Sequence, residues 1–389
     1  MTDHPTRPAF DGGPVVVIGA GIVGCSLAFH LSLYGFSDVT VLDAGLVGEG
    51  STSKATGGIR QQFSSEINAD LAHEAVDYFA HFDERVGEPF DFRQHGYLFL
   101  IATPEQFEQF QRNVVMQRRL GIDVRLLDPD DLAQLVSGVK TADLYAGAYC
   151  PSDGSGSPAD AVAAFARQAR RRGVRILQNT AVTGVDRAAD GSVRAVRTKD
   201  AVHPASVVVN AAGPWARRVG ELVGLDLPVE PHPRQAFGIG PLPQLHADMP
   251  LTVDLASGAY LHPEVHGGIV GGNDRDTPAG EDASVRWELV EPLTAALVHR
   301  IPWMSDADIR TGWCGLREMT PDDHAIVGPC AVPGWWNLVG FSGHGFMQAP
   351  VVGDHVARRL LGHADARDMS ALRLSRFAEG ETAHEATVF

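Results

Sequence analysis

The chain has 389 residues, of which 44% are hydrophobic and 21% are charged, and these values exclude collagen, coiled coils and bulk disorder. Acidic residues outnumber basic residues by 48 to 32, so the formal net charge is −16. A field of this sign repels nucleic acids and anionic membrane surfaces, and we therefore expect no nucleic-acid partner. The length predicts about two or three folding units.

Cysteine usage predicts neither a zinc cluster nor a disulfide framework. The four cysteines lie far apart and form no C-x-x-C pair: Cys25, Cys150, Cys314 and Cys330. We therefore expect no metal site, and a reducing cytoplasm is the expected location. The uncharged stretch 14–36 is long enough to raise the question of a membrane span. Gly19, Gly21 and Gly24 interrupt it at the spacing of a functional glycine motif, so we expect no span.

The predicted elements begin with a βαβ unit, with a strand over 14–18, a helix over 22–34 and a strand over 39–42. Helices are then expected over 65–85 and 104–120, from 128 onward and over 159–172, and a strand is expected over 92–101. Further strands are expected over 174–178, 181–187, 193–198, 206–211, 237–239, 251–253, 259–262, 268–270, 326–329 and 336–339. A last helix is expected over 346–361.

A glycine motif lies at the first junction between strand and helix, where G-x-G-x-x-G matches Gly19-Ala20-Gly21-Ile22-Val23-Gly24. The first glycine permits a tight turn, the second lets a pyrophosphate approach the backbone, and the third lets the helix pack closely. Asp43 ends the second strand 19 residues after Gly24, where its carboxylate can accept hydrogen bonds from both ribose hydroxyls. The motif predicts a dinucleotide whose ribose carries no phosphate.

A long loop of small residues follows the second strand, from Asp43 to Arg60. Such a loop offers backbone amides and hydroxyls to an extended cofactor at little steric cost, which favours FAD over NAD. The residues expected to contact the cofactor are Ala44, Gly50, Ser51, Thr52, Ser53, Thr56, Gly57 and Gly58.

Four blocks carry a resemblance to a known family: the glycine motif with Asp43, loop 48–63, segment 207–216 and segment 313–350. The last contains G-L-R-E-M-T-P-D over 315–322 and G-F-S-G-H-G-F-M-Q-A-P over 340–350. The sequence resembles the FAD-dependent D-amino-acid oxidases, glycine oxidases and sarcosine oxidases or dehydrogenases, and looks closest to the sarcosine oxidase β-subunit branch.

The resemblance implies an α/β fold with two domains. A discontinuous Rossmann-like FAD-binding domain would combine residues 1–85, 150–225 and 310–389. An α+β substrate domain with a mixed sheet would comprise residues 86–149 and 226–309 and would supply the substrate pocket.

The resemblance also implies which distant segments meet on FAD. The pyrimidine end of the flavin would lie at the N-terminus of the last helix, formed by Gly343, His344, Gly345, Phe346 and Met347, where the helix dipole stabilises the negative charge of the reduced flavin. The ADP half would lie near Ala212, Gly213 and Trp215, and the adenine near Val182. His344 fits an ordinary polar turn residue equally well.

Two arginines are candidates for holding a substrate carboxylate. Arg317 stands in the G-L-R of the glycine-oxidase pattern, whose arginine binds the carboxylate with two hydrogen bonds, and Arg60 matches an arginine of the monomeric sarcosine oxidases. The β-subunit branch usually has tyrosine at the position of Arg317, and this departure favours an anionic ligand. A surface salt bridge is the alternative for each arginine.

Tyr260 and His262 alternate on one face of a predicted strand, in a Y-x-x-P pattern that the family places over the flavin. They are candidates for orienting the substrate, and a half-buried sheet face is the alternative.

Cys314 lies in the segment where monomeric sarcosine oxidases attach the flavin covalently, although a buried thiol is the commoner role of a lone cysteine. We expect non-covalent FAD, with attachment at Cys314 as the alternative. Lys54 stands where the dimethylglycine dehydrogenases have a flavin-linked histidine, and no lysine follows Lys199 to serve in oxygen activation near flavin N5. The electron acceptor, O2 or another carrier, stays open.

The expected activity is oxidation of the C–N bond of a small amino acid or N-alkyl amino acid, by hydride transfer to flavin N5 and hydrolysis of the imine. A neutral substrate amine would need no side-chain base. Three alternatives stay open: a 2-hydroxy-acid dehydrogenase using His262 or His344 as the base, a non-catalytic flavoprotein that assists assembly, and the β-subunit of a hetero-oligomeric oxidase.

Overall fold

The computed structural model describes residues 12–272 and 277–387. Its strands, in chain order, are Val15–Ile18 (β1), Val39–Leu42 (β2), Gly58–Ile59 (β3), Tyr97–Ile101 (β4), Arg125–Leu127 (β5), Ala146–Cys150 (β6), Gly154–Ser155 (β7), Arg175–Leu177 (β8), Val182–Arg187 (β9), Val193–Thr198 (β10), Val202–Pro204 (β11), Val207–Asn210 (β12), Glu230–Ile239 (β13), Leu251–Asp254 (β14), Tyr260–Glu264 (β15), Gly267–Gly271 (β16), Ile309–Met319 (β17), Ile326–Pro329 (β18) and Trp335–Val339 (β19).

The α-helices are Ile22–Leu33 (α1), Glu66–Ala80 (α2), Phe82–Val86 (α3), Pro104–Arg119 (α4), Pro129–Leu135 (α5), Pro158–Arg171 (α6), Ala216–Glu221 (α7), Val290–Arg300 (α8), Gly345–Leu360 (α9) and Arg376–Glu379 (α10). Short 3₁₀ turns lie over Ser51–Lys54, Gly213–Trp215, Trp287–Leu289, Pro302–Asp306 and Ser370–Leu372. Within the described residues, no helix combines the length and the apolar composition that crossing a membrane requires.

A six-stranded sheet in the order β18-β19-β12-β1-β2-β8 is parallel except where β18 pairs with β19. Its central strands are runs of buried valine and isoleucine, because both faces are covered. Val15 and Val17 belong to the apolar core that includes residues of α1, α6 and α9. Val16 and Ile18 pack on the other face against residues of the small antiparallel sheet β11-β10-β9.

The second large sheet has eight strands in the order β17-β13-β16-β15-β14-β4-β6-β5. All its neighbours pair antiparallel except β4 and β14, so it is a mixed sheet. The predicted α/β class is confirmed: a Rossmann-like parallel sheet and a mixed sheet are both present.

Among the described elements, the sequence pattern missed β17, α8 and the shorter elements β3, β5, β7, β11, α7 and α10. It also placed the start of β13 seven residues too late, at 237 instead of 230. The predicted domain division gave residues 310–319 to the FAD-binding domain, whereas β17 pairs with β13 from Ile309 to Met319 in the eight-stranded sheet. The remainder of that division stays a prediction.

Candidate active site

A cavity of about 730 Å³ is lined by residues of both large sheets. One wall is the carboxyl edge of the parallel sheet, where β1, β2, β12 and β19 each end in a residue or turn that faces the cavity. The opposite wall is formed by parts of β4, β13, β15 and β17. Ligands of open α/β sheets bind at the carboxyl ends of the strands, so the cavity lies where the fold places a binding site.

The glycine turn between β1 and α1 requires its glycines for steric reasons. Gly19 has a φ of +112°, and a Cβ there would lie 2.2 Å from the carbonyl oxygen of Ala211. A Cβ on Gly24 would lie 2.0 Å from the carbonyl oxygen of Gly19. The turn therefore presents bare backbone and the N-terminus of α1 to the cavity, an arrangement that suits an anion.

Asp43 follows β2 directly and lines the same part of the cavity. Its Oδ2 accepts a hydrogen bond from the Ala20 amide at 2.6 Å, and its Oδ1 accepts one from the Gly45 amide at 2.7 Å. These two bonds fix the carboxylate beside the glycine turn. Each oxygen keeps lone-pair capacity for further donors, such as ligand hydroxyl groups.

Arg60 follows β3, is only 3% exposed and lines the cavity. Its Nη1 donates to the Gln62 carbonyl at 2.5 Å, its Nη2 donates to the Thr387 carbonyl, and the guanidinium lies 4.1 Å from the centre of the Phe63 ring. Burial lowers the pKa of Arg60, the charges of Tyr97, Glu385 and Asp153 oppose this shift, and the charge of Arg317 adds to it. Two guanidinium groups thus act on each other at one end of the cavity.

Arg317 and Glu318 lie on β17, and both line the cavity. The Arg317 side chain approaches the turn before α9, because a Cβ on Gly343 would lie 3.1 Å from its Nε. Glu318 accepts a hydrogen bond from the Gly340 amide at 2.8 Å, and burial raises its pKa to about 7. β17 therefore positions one cation and one protonatable carboxyl beside the same turn.

The turn 340–344 brings His344 to the N-terminus of α9. His344 is buried, its Nε2 lies 3.4 Å from Arg60 Nη2, and its ring meets the Phe63 ring edge-on. Burial lowers the pKa of His344 well below its ordinary value, and the charges of Arg60 and Arg317 add to the shift. The imidazole is therefore neutral at physiological pH, and the positive potential of this end comes from the arginines and the helix N-terminus.

Tyr260 and His262 are placed differently, although both lie on β15. Tyr260 lines the cavity and covers Gly271, where a Cβ would lie 2.3 Å from its hydroxyl oxygen. His262 is fully buried outside the cavity lining, with its ring 6.2 Å from that of His95. Burial lowers the pKa of His262 to about 3, His95 adds to this effect, and the Thr56 backbone opposes it. The placement gives His262 no access to a cavity ligand.

A family model described as FAD-dependent oxidoreductase matches residues 14–359. The chain belongs to the FAD-dependent oxidoreductase family. The predicted resemblance and the predicted cofactor, FAD, are confirmed by this match, and the protein is an oxidoreductase enzyme.

Some relatives of this FAD-dependent oxidoreductase are named as dehydrogenases of N-methyl amino acids. Mitochondrial sarcosine dehydrogenase of Homo sapiens is 26% identical over 99% of this chain and 43% of its own length. Mitochondrial dimethylglycine dehydrogenase of Rattus norvegicus is 28% identical over 97% of this chain and 46% of its own length. The chain thus spans less than half the length of these curated relatives.

Among solved structures, L-proline dehydrogenase from P. horikoshii is similar along nearly its whole length. It is 31% identical to the FAD-dependent oxidoreductase described here, with a TM-score of 0.88, and the match covers 95% of this chain and 98% of that chain. Glycine oxidase from Geobacillus kaustophilus has the same fold, with a TM-score of 0.83 at 24% identity over 93% of this chain.

The cavity of the FAD-dependent oxidoreductase fits its cofactor in shape and chemistry. The glycine turn leaves room that a Cβ would fill, the N-terminus of α1 suits the pyrophosphate, and Asp43 offers acceptors to ribose hydroxyls. Most predicted contact residues line the cavity: Gly19, Gly21, Ile22, Val23, Asp43, Ala44, Gly50, Ser51, Thr52, Thr56, Gly57, Gly58, Val182, Ala212, Gly213, Trp215, Gly343, His344, Gly345, Phe346 and Met347.

Three predicted cofactor residues lie outside the cavity lining: Gly24, Ser53 and Cys314. Gly24 packs against the Gly19 carbonyl oxygen, where a Cβ would not fit. The Ser53 hydroxyl donates to the Glu49 carbonyl at 2.9 Å. Cys314 is buried in β17, opposite Gln235 of β13, whereas Lys54 lines the cavity. Non-covalent FAD, with attachment at Cys314 as the alternative, stays a prediction.

The sequence analysis did not single out several residues that line the cavity, namely Tyr97, Arg234, Gln235, Glu318 and Ser342, although the last two lie within quoted motifs. Tyr97 begins β4 beside Gly58, whose Cβ would lie 3.5 Å from the Tyr97 ring. Arg234 and Gln235 lie on β13, opposite Gly315 and Cys314 of β17. A tyrosine or an arginine that opens or interrupts an apolar strand is the kind of signal that could have identified them.

Proposed function

We propose that this FAD-dependent oxidoreductase oxidises the C–N bond of a small amino acid or N-alkyl amino acid. The observation that carries the proposal is the pair Arg60 and Arg317, which both line the cavity where α9 begins, Arg60 beside His344 and Arg317 beside Gly343. Two neighbouring guanidinium groups and a helix N-terminus form a site for a carboxylate.

The arginines would orient the substrate through its carboxylate. Arg317 reaches the cavity from β17 and is suited to a two-pronged hydrogen bond, because the guanidinium fork matches the geometry of a carboxylate. Arg60 adds positive charge from the side of β3. Tyr97 lines the same cavity, and the charges of both arginines oppose the rise of its pKa that burial causes.

Bound FAD would supply the two-electron chemistry by accepting a hydride from the carbon next to the substrate nitrogen. The chain's own contribution is to bind the carboxylate, to hold that carbon toward the flavin and to enclose the site. His344 is neutral and lies in the turn before α9, where its Nε2 faces Arg60 Nη2 at 3.4 Å, so it adds a polar group beside the arginines without adding charge. The imine that forms would hydrolyse in water.

A 2-hydroxy acid is the second candidate substrate. It would use the same arginines, and its hydroxyl proton would need a base, for which the neutral His344 is placed in the cavity. His262, the other histidine considered for this role, has no access to the cavity. The partner subunit of the β-subunit branch, the electron acceptor and the cytoplasmic location also stay predictions.

Anaerobic mixing with candidate substrates tests the proposal, with bleaching of the visible flavin band as the signal. We expect bleaching by at least one of sarcosine, dimethylglycine, glycine, L-proline and D-alanine. Dimethylamine, which is sarcosine without its carboxylate, is the matched control and should leave the band unchanged. Bleaching by glycolate or lactate alone would favour the hydroxy acid, and bleaching by none of these would support a non-catalytic flavoprotein.

Arg317→Met examines the same proposal through the protein. Removing one cation of a buried carboxylate site should lower kcat/KM for the reactive substrate about 100-fold. Arg310→Met removes an exposed arginine of the same strand, whose partner is Asp308, and should leave kcat/KM unchanged. Equal losses in both variants would contradict a carboxylate site at Arg317.

A further inference from the structure

The segment 381–387, which we call the tail, follows α10 and returns to Arg60, a residue that lines the cavity. Its Glu385 is 2% exposed, and its carboxylate lies at the N-terminus of α2. Oε1 accepts from the Ser64 amide at 2.7 Å and the Ser64 hydroxyl at 2.6 Å, and Oε2 accepts from the Ser65 hydroxyl at 2.7 Å and from Asn68 at 3.2 Å. The site is built from donors alone and therefore suits a carboxylate.

Glu385 also orders the residues that follow it. Its Oε1 accepts from the Thr387 amide at 3.1 Å and from the Thr387 hydroxyl, and the Ala386 amide donates to the Ser64 hydroxyl at 2.7 Å. The hydrogen bonds from Ser64, Ser65 and Thr387 outweigh the effect of burial and lower the pKa of Glu385 to about 2. The carboxylate is therefore charged across the physiological range.

The tail ends its described course on Arg60, because the main-chain carbonyl of Thr387 accepts from Arg60 Nη2. The same nitrogen lies 3.4 Å from His344 Nε2, and Nη1 donates to the Gln62 carbonyl. These contacts hold the Arg60 guanidinium, which lines the cavity, in one orientation. A chain of contacts thus joins Glu385 to the expected carboxylate site through Thr387.

The tail also has an anchor that does not use the Glu385 carboxylate. The Glu385 amide donates to the Asp322 carbonyl at 3.2 Å, and Asp322 forms a buried ion pair with Arg376, 2.8 Å from Nε. His324 Nε2 lies 2.9 Å from the Ser65 hydroxyl. These contacts do not involve the Glu385 carboxylate, so a change of that side chain should loosen the last tail residues and leave α10 in place.

We propose that Glu385 is a positioning residue of the substrate site, which holds the tail on α2 so that the Thr387 carbonyl orients Arg60 toward the substrate carboxylate. The proposal rests on the proposed function, since it assigns Arg60 to a carboxylate ligand. It adds a residue that does not itself line the cavity.

Glu385→Gln tests the proposal, because the variant places an NH₂ group among donors and removes the charge. Acetate is the probe, and its binding to the holoenzyme is followed by the change in the flavin absorption spectrum. We expect the acetate Kd and the substrate KM to rise about tenfold, with kcat within about twofold of wild type. Hydrogen exchange at the Ser64 and Ser65 amides should become faster. Glu381→Gln, at an exposed tail carboxylate paired with Arg373, is the control and should change none of these.

The outcomes separate the two proposals. If wild type binds acetate and is reduced by an amine, and Glu385→Gln behaves identically while exchange at Ser64 accelerates, the positioning role is overturned. If wild type neither binds acetate nor is reduced by any amine, the proposed function fails and the positioning role fails with it. Ser64→Ala removes the hydroxyl that contacts both Glu385 and Ala386, and should raise the acetate Kd in the same direction if Glu385→Gln does not fold.

Discussion

Glu318 illustrates at the scale of one residue how the cavity affects stability. Burial raises its pKa from an ordinary 4.5 to about 7, although the Gly340 amide donates to its carboxylate and favours ionisation. Between these two pKa values the folded chain keeps a proton that the unfolded chain has lost. By linkage, the free energy of unfolding therefore falls as the pH rises through this range, and the full contribution is present only below the unfolded pKa.

In the Glu318→Gln variant the side chain cannot ionise, so its free energy of unfolding should not show this fall with rising pH. We expect the unfolding free energy of the variant minus that of wild type to increase by about 2 to 3 kcal/mol between about pH 5 and pH 8. Denaturant titrations at several pH values measure it, and Glu221→Gln, at an exposed end of α7, should follow wild type. Parallel stability profiles for wild type and Glu318→Gln would contradict the raised pKa.

Residues of the site were predictable where a local motif fixes their geometry. The turn at Gly19 and the acidic residue at Asp43 are separated by one βαβ unit, so strand and helix patterning places them together. Thr387 and Arg60 are far apart in the chain and meet through the packing of the tail on α2. No periodicity near either residue reports that contact, and the raised pKa of Glu318 likewise depends on tertiary burial.

At the scale of elements, the contact between α1 and α9 sets where α9 delivers its N-terminus. The helices approach closely at Gly353, where a Cβ would lie 2.4 Å from Ser26 Oγ and 3.0 Å from the Leu27 amide nitrogen. Ser26 Oγ also donates to the Ala349 carbonyl at 2.8 Å. The contact therefore depends on the absence of a side chain at 353, and α9 cannot approach α1 as closely with a larger residue.

Gly353→Ala should destabilise the protein by about 1 to 3 kcal/mol, because overpacking outweighs the roughly 1 kcal/mol that alanine gains over glycine in a helix. Denaturant unfolding measures the change. Ser26→Ala removes Oγ, the atom closest to the added Cβ, so the double variant should lose less stability than the sum of the single variants. Simple additivity of the two losses would show that the helices do not meet at these residues.

Elements were predictable where burial gives them a clear period, and less so where function or proline interrupts it. β13 begins with Pro231 and Pro233, which reduce its resemblance to a strand. The structure accommodates both prolines because β16 pairs only with residues 236–239, so the proline-containing half has β17 alone as its neighbour. β17 itself carries glycines, a cysteine and charged residues between apolar ones, a pattern set by the cavity that it lines.

At the scale of the whole molecule, the cavity joins the parallel sheet and the mixed sheet, so a cofactor bound along it contacts both. The resemblance predicted this convergence of distant segments, and the strand periodicity alone did not. Because β17 carries Arg317 and pairs with β13, part of the segment predicted for FAD binding belongs to the mixed sheet. The two large sheets therefore share the wall of the site.

Binding of FAD along this shared wall should stabilise the folded chain as a unit. A ligand at about 100 times its Kd that binds only the folded state adds about 2.7 kcal/mol to the free energy of unfolding, so Tm should rise with FAD concentration and fall when FAD is removed. Thermal unfolding of the deflavinated protein across an FAD series measures this shift.

FMN is the matched control, because it lacks the adenosine that the Asp43 side of the cavity would hold and should raise Tm far less. An equal shift of Tm with FMN, or no shift with FAD, would contradict a cofactor that extends from the glycine turn to α9. Only the full dinucleotide can reach both the turn at Gly19 and the start of α9 at Gly345.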